Sequence, residues 1–412
     1  AALADRAVYC QRLRDWLLGS HAPRQNAVDH FLAKLDDFDL NEYIRSIRFN
    51  ELKVPTAPFQ LPTSRSYFGL QQMMESELDF MKAAVLSRSM EPVIMYSDMP
   101  MEQMAKDPDF PKKWMFGMAM LLKKGLKLRI IHNIDRSLPE MMLGLESFIP
   151  MYMTGQIEPY YFKNPQNGVF LHFMRSAGTV ALTGEAIAGH HSEGRYDLTK
   201  VKGEVAYCRR RAEAMLAQAE PLMDIYREDD AVRLNAFLLA DSRTPGPRRQ
   251  ILSVPPLYTM EPAYLETLLT QQAVPAEERQ RIAAYARVRR EQMEHILSSD
   301  MLCLELPRLS AEAFAQFPPS LPLSGLFYER DVPYTYETYL AHVRQTEAFA
   351  AAQPHCRLEW TGGAFRNLQI CIHEGQWAMV SKGKSPAIHF VIRHPKLRSA
   401  IERFVPPVVE VE

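Results

Sequence analysis

Leu171-His172-Phe173-Met174 followed by Gly178-Thr179-Val180-Ala181-Leu182, and Leu368-Gln369-Ile370-Cys371 followed by Gly375-Gln376-Trp377-Ala378-Met379-Val380, are the stretches from which the fold is read. Each is an apolar-rich run, a glycine turn and a second run, the pattern of a strand, a turn and a strand. Each then leads through a further stretch into a helix. A repeat this long is not a solenoid unit; it predicts duplicated half-domains facing each other across a pseudo-twofold cleft. Such a cleft is a natural ligand site.

The pattern extends upstream in both copies. Pro92 to Tyr96 reads as a short buried strand, Pro111 to Lys124 as a helix closed by Gly125, and Leu126 to Ile131 as the next strand. A second helix is expected over Pro139 to Met151. In the second copy Gln250 to Val254, Pro275 to Ser298, Met301 to Leu304 and Tyr334 to Ala351 take the same parts. The offset between matched points grows from 157 (Ile94 to Ile251) to 197 (Leu171 to Leu368), so insertions are required.

Outward from these copies, residues 1 to about 48 read as helices on the spacing of Val8, Leu13, Trp16 and Leu17, then of Val28, Phe31, Leu32 and Leu35. Pro55, Pro58 and Pro62 make Leu52 to Ser66 a linker or strap. Tyr67 to Leu86 returns to helix, and a long helix near Lys202 to Gln218 closes the first copy. The expected fold is α/β, with an N-terminal helical segment and linker over 1–63, a first half over 64–225 and a second over 226–412. Ala387 to Ile392 is a buried-strand candidate, and Pro395 suits the first turn of a closing helix.

With 412 residues, 47% apolar, the chain has enough material for a sizeable core. Its formal net charge of −1 argues against strong nucleic-acid binding by charge alone. The five cysteines, Cys10, Cys208, Cys303, Cys356 and Cys371, form no Cys-x-x-Cys pair, which fits a reducing, cytoplasmic home. No apolar run is long enough to span a bilayer, so no membrane partner is expected. The start at Ala1-Ala2-Leu3, without methionine, suggests a fragment of a longer chain.

No phosphate loop, His-Glu-x-x-His or Cys-x-x-Cys metal signature is present, and no cofactor is expected. His190-His191 beside Glu193 offers metal donors but reads better as a polar loop after a strand. His132, Asp135 and Arg136 follow the Leu126 to Ile131 strand, and Tyr96 and Asp98 end the strand before it. Both clusters therefore fall at the sheet edge where α/β proteins bind ligands. Ordinary helix and turn capping by Asp135, Ser137 and Asp98 fits the same residues. Of the 22 methionines, 15 lie between Met73 and Met153, as core filler or adaptable pocket lining.

Two α/β halves, each with a strand placed to carry a short histidine motif, resemble the phospholipase D superfamily. The family signature is His-x-Lys, four residues, then Asp, once per half. The resemblance implies a nucleophilic histidine, an acid histidine and lysines for the phosphoryl oxygens. Here His172-Phe173-Met174 stands at the first signature, with Met174 for the lysine and Thr179 for the aspartate. Gln369-Ile370-Cys371 stands at the second, with Gln376 for the aspartate. One histidine of the set survives, so the resemblance implies a catalytically degenerate relative. The stretches Met95 to Asp98, Leu126 to Arg136 and Trp377 to His394 also resemble the effector regions of bacterial helix-turn-helix regulators with phospholipase D-like domains.

The expectation is a non-catalytic, ligand-sensing and dimerising part of a transcriptional regulator. An unknown small effector would be held by Tyr96, Asp98, His132, Asp135, Arg136, His172, Gln369 and Trp377. DNA would be met only through a domain upstream of this chain. The competing readings are a phosphodiesterase or nuclease using His172 with His132 or His190, and a structural or protein-interaction module.

Overall fold

The computed structural model describes residues 27–38, 62–99, 110–133, 141, 151–152, 154–163, 168–328, 330–363, 365–383 and 387–406. The helices read before residue 27, the proline strap over 52–61, most of the helix at 139–151, Asp135 and Arg136 lie outside the described residues. The chain divides into two compact units, one spanning Asp39–Met223 and the other joining Ala1–Phe38 to Asp224–Glu412.

The first unit carries β1 (Ser64–Phe68), α2 (Gly69–Leu86), β2 (Val93–Ser97), α3 (Phe110–Lys123), β3 (Leu128–His132), β4 (Ile157–Tyr161), β5 (Phe170–Ala177), β6 (Val180–Ile187), β7 (His190–Thr199), α4 (Lys202–Leu216) and β8 (Glu220–Pro221); α1, over 27–37, belongs to the other unit. Its eight strands run in the order β1-β7-β6-β5-β2-β3-β4-β8. The β2, β3 and β4 ladders are parallel, as crossover connections require, and β5, β6 and β7 form an antiparallel meander. β2 is central, and four of its five residues are buried, which is why its sequence shows no polar alternation. The glycine turn read at 178–179 joins β5 to β6.

Two readings change here. The helix expected from Tyr67 starts at Gly69, and the residues before it form β1, paired to β7. Gly69, at φ +71°, makes the break, a conformation that L side chains rarely adopt. His190-His191 is not a loop: β7 begins there, and from residue 194 it alternates buried Tyr196 and Leu198 with outward Arg195 and Asp197. Helix α3 ends before Gly125 at φ +88°, as read. It crosses α2 so closely that a Cβ on Gly117 would come within 2.7 Å of the Met81 sulfur. Met73, Met74, Met81, Met95, Met118 and Met120 are all buried core.

The second unit carries β9 (Met223–Tyr226), α5 (Ala231–Asp241), β10 (Arg248–Ile251), α6 (Pro262–Gln271), α7 (Ala276–Leu297), β11 (Leu302–Pro307), α8 (Ala311–Gln316), α9 (Tyr336–Ala352), β12 (Cys356–Thr361), β13 (Leu368–His373), β14 (Trp377–Lys382), β15 (Ile388–Ile392) and α10 (Pro395–Glu402). Its strand order is β12-β11-β10-β13-β14-β15-β9. Writing β9 to β15 for β1 to β7 gives the same neighbours as in the first sheet, with β8 extra. Helices α6 to α9 gather a core of their own around Leu265, Leu268, Ile282, Phe314, Tyr339 and Val343.

Helix α1 is clamped to this second sheet. Lys382 of β14, 2% exposed, donates its ammonium to the Leu35 carbonyl at 2.9 Å and to that of Phe38. A cation suits the exposed carbonyls at a helix C-terminus. The Asp36 carboxylate accepts the backbone N–H groups of Arg366 (3.0 Å) and Asn367 (2.7 Å).

Candidate functional site

Tyr96, Asp98 and His172 meet at the end of β2 in the first unit. The Asp98 N–H donates to the His172 carbonyl at 3.2 Å, and the Asp98 Oδ1 accepts the His172 N–H in return. The Tyr96 hydroxyl donates to Asp98 Oδ2 at 3.1 Å, and the His172 Nδ1 lies 3.8 Å from the same oxygen. Asp98 is 7% exposed while the His172 ring is about half exposed. Burial raises the Asp98 carboxyl above its ordinary value, opposed by its hydrogen bonds from His172 and Tyr96. The His172 backbone is thus pinned to Asp98 on both its N–H and its carbonyl, while the half-exposed ring lies 3.8 Å from the carboxylate, beyond hydrogen-bond distance.

Tyr96 and His172 border a cavity of about 540 Å³ on the face of the sheet covered by α4. The ladder register explains its lining. His172 stands opposite Glu185, and Glu185 opposite Arg195, so Asp98, His172, Glu185 and Arg195 form one polar row across the sheet. In the next row Tyr96 stands opposite Met174, Met174 opposite Thr183 and Thr183 opposite Asp197. Arg195 is engaged by Asp197 at 3.0 Å, and Asp197 also accepts from Ser66 at 2.6 Å. Arg211 and Gln218 close the rim from α4 and its end, and Phe162 meets Tyr96 edge-on at 5.6 Å. Glu185, Arg195, Asp197 and Arg211 were missed in the sequence. The signal was there: Arg195 and Asp197 alternate with Tyr196 and Leu198 at the period of a strand.

Under this site, on the opposite face, Arg175 is 6% exposed and donates to the Tyr96 carbonyl at 2.7 Å and to Glu77 at 3.3 Å. Glu77 also accepts from the Trp114 indole at 2.8 Å. This buried pair ties α2 and α3 to the β2–β5 seam that carries Asp98 and His172.

His132 does not join the cavity. It pairs in register with Ser97, one residue beyond Tyr96 in β2, and so stands on the other face of the sheet. Its Nε2 meets the Tyr152 hydroxyl at 2.8 Å. Met174, at the lysine position of the signature, is 5% exposed and packs against Ile94 and Ala212, while Thr179 is exposed in the turn. Among the described residues no lysine and no second histidine lines this cavity.

Gln369 and Trp377 belong to the second sheet. Trp377 is 5% exposed, in a cluster with Tyr226, Leu234, Phe327 and Met379, and its indole N–H donates to Asp241 at 2.7 Å. The same Asp241 oxygen lies 2.7 Å from the His373 Nδ1, and its other oxygen takes Arg248 at 3.2 Å. Arg248 also donates to the carbonyls of Asp241, Thr244 and Gly246. This is a satisfied core network in which the Trp377 ring faces the interior.

Gln369 is also not where the sequence alignment put it. The last ladder pair of the first hairpin is Ala177 with Val180, and that of the second is His373 with Trp377, so the second turn is one residue longer. Counting five residues back from each turn, the place of His172 is taken by Leu368, which is fully buried. Gln369 lies on the other face, because a shift of one residue reverses a strand's faces.

A metal finds one candidate donor set among the described residues, Cys303, Glu305 and Glu359 of β11 and β12. Arg249 already holds Glu305, and Arg357 bridges Glu359 and the Cys303 sulfur, so the carboxylates are neutralised without an ion.

No protein-family model matches the chain, and no curated protein matches it. Among solved structures it is similar to TrmBL2, an archaeal chromatin protein with a novel mode of DNA binding, at 10% identity over 52% of this chain and 67% of that one, with a TM-score of 0.29. It is similar to Nuc, a phospholipase D family member from Salmonella typhimurium, at 12% identity over 39% of this chain and 98% of that one, with a TM-score of 0.28. NucT from Helicobacter pylori gives 13% identity over 38% and 99%, with a TM-score of 0.25. Likenesses of this size assign no family. No helix among the described residues is long and apolar enough to cross a membrane.

Proposed function

We propose that this chain is the non-catalytic, effector-binding part of a bacterial transcriptional regulator, built from two phospholipase D-like halves. The observation that carries the reading is the His172 cavity: an open pocket of mixed polar and apolar lining, with one imidazole and no lysine or second histidine among its described lining residues. Phosphoryl transfer needs a nucleophile, a proton donor and a fixed cation for the phosphoryl oxygens. Here the cation position holds buried Met174, and the equivalent row of the second hairpin holds buried Leu368. The shared strand order of the two sheets supports descent by duplication, with the ligand-binding role kept in the first half. Dimerisation, a cytoplasmic home and contact with DNA through an upstream domain complete the proposal.

The test is a thermal-shift screen of the full chain against small polar metabolites, repeated with His172→Ala. Ligands that stabilise the parent and not the variant support the reading. The second reading, a phosphodiesterase, is favoured by the Asp98 carboxylate 3.8 Å from the His172 imidazole, where a small movement would bring the two into the contact that a histidine nucleophile requires. Hydrolysis of bis(p-nitrophenyl) phosphate that is lost in His172→Ala would replace the first reading with the second.

A further inference from the structure

Helix α7 turns one cation toward the second sheet. Its buried stripe runs through Ile282, Ala286, Met293 and Ile296 at helical spacing, and Arg289 stands in the middle of it. Arg289 is half-buried, and its one hydrogen bond goes to Gln292 of the same helix at 2.5 Å. Among the described residues no carboxylate pairs with it. A charge drawn into the protein without a counter-charge is destabilising, so the position calls for an anion.

Packing on either side fixes where the guanidinium lies. One turn onward, Met293 packs with Tyr258 and with Leu302 at the start of β11. One turn back, Tyr285 lies against Gly325, where a Cβ would come within 2.1 Å of its hydroxyl. The neighbouring Ser324 carbonyl meets His389 of β15 at 3.1 Å. Arg289 therefore lies between these anchors, over the ladder row Leu304, Gln250, Cys371 and Met379. The next row, toward His389, is Gln369, Ser381 and His389 itself. Neither row holds a carboxylate. The Arg289 charge reaches both: burial pushes the Cys371 thiol up to about 11, opposed by Arg289, and burial pushes His389 down to about 4, aided by Arg289.

Two unused donors border the same space. Gln250 is 7% exposed, and its oxygen accepts the Tyr258 hydroxyl at 2.9 Å, while its amide nitrogen has no acceptor among the described residues. The Tyr285 hydroxyl also has none. Gln369 and Cys371 are half-buried, so solvent reaches the floor of this space.

We propose that Arg289, with the Gln250 amide and the Tyr285 hydroxyl, binds the carboxylate of a small molecule between α7 and the second sheet. Arg289 brings one positive charge, and its planar fork matches the two oxygens of a carboxylate. The site is not the counterpart of the His172 cavity, whose place in this sheet is taken by Leu368 on the opposite face.

The test is a nuclear magnetic resonance titration of the full chain with sodium acetate and, separately, sodium phosphate, against sodium chloride at equal ionic strength. The expected result is saturable movement of the Arg289 side-chain N–H signals by acetate and not by chloride. Arg289→Gln should abolish saturation, read on the Gln250 side-chain amide. Tyr285→Phe keeps the ring and its packing and should weaken binding about two- to fivefold, which decides the matter where Arg289→Gln fails to fold. His172→Ala should bind acetate as the parent does. Saturation by phosphate alone overturns the carboxylate assignment. No saturation with either anion overturns the site, as does saturation that the variants of Arg289 and Tyr285 leave unchanged or that His172→Ala removes.

Discussion

The two sheets order their strands alike and treat their polar groups in opposite ways. In the first, the seam between β2 and β5 carries a half-exposed His172 above an open cavity. In the second, Asp241 collects Arg248, His373 and Trp377 into a closed network within the fold. The difference is one of satisfaction. A polar group with every partner inside the protein fixes the core, whereas one with an unused edge toward a cavity remains available to a ligand.

The contrast predicts its largest effect at Asp241. Asp241→Ala strips a buried guanidinium, an imidazole and an indole of their shared acceptor, and should cost ~3–5 kcal/mol in denaturant unfolding. A loss below ~1 kcal/mol would mean the network contributes little beyond packing.

The next effect is on pH. Burial pushes His389 down to about 4 and His342 down to about 3. A histidine depressed on folding contributes stability above its unfolded value of ~6.5, and loses it as pH falls through the folded value. Hydrogen exchange should show the second unit loosening from pH 6.5 toward 4, by ~3 kcal/mol from His389, and His389→Gln should flatten that slope. Asp98 works the other way. Its folded value is raised, so its contribution to the first unit is fully present below 3.8 and is lost as pH rises through the folded value. Asp98→Asn should remove this slope; a slope unchanged in the variant would show that another group titrates.

The smallest effect is on stability at His172. His172→Ala removes a half-exposed ring and should change unfolding by less than ~0.5 kcal/mol while abolishing binding in the cavity. A large loss of stability there would make His172 a structural residue and close the gap between the two sheets.

The parts of this arrangement legible in the sequence are those with short-range causes. The strand–turn–strand pairs, the helix end at Gly125 and Pro395 in the first turn of α10 follow from local rules. β7 was hidden because His190, Ser192 and Gly194 interrupt its apolar period, and β4 because Pro159 interrupts its run. The misplacement of Gln369 had a single cause, a turn one residue longer than its counterpart. Tyr96 and Asp98 were named because strand ends mark ligand edges, and His172 because it stands at the first position of the signature that the chain resembles. Glu185 and Arg211 needed the ladder register and the seat of α4, and the Asp241 partners lie up to 136 residues away in sequence.

The clamp on α1 has a consequence for how the molecule comes to exist. Lys382 and the carbonyl it grips are 347 residues apart, so the contact waits until residue 382 has been made. The span 39–223, by contrast, is finished and free to close early in synthesis. Joining such distant points costs about 3 kcal/mol more loop entropy than closing ten residues. A ribosome therefore delivers the span 39–223 first, and the unit that surrounds it in sequence becomes whole only after β14 has been made.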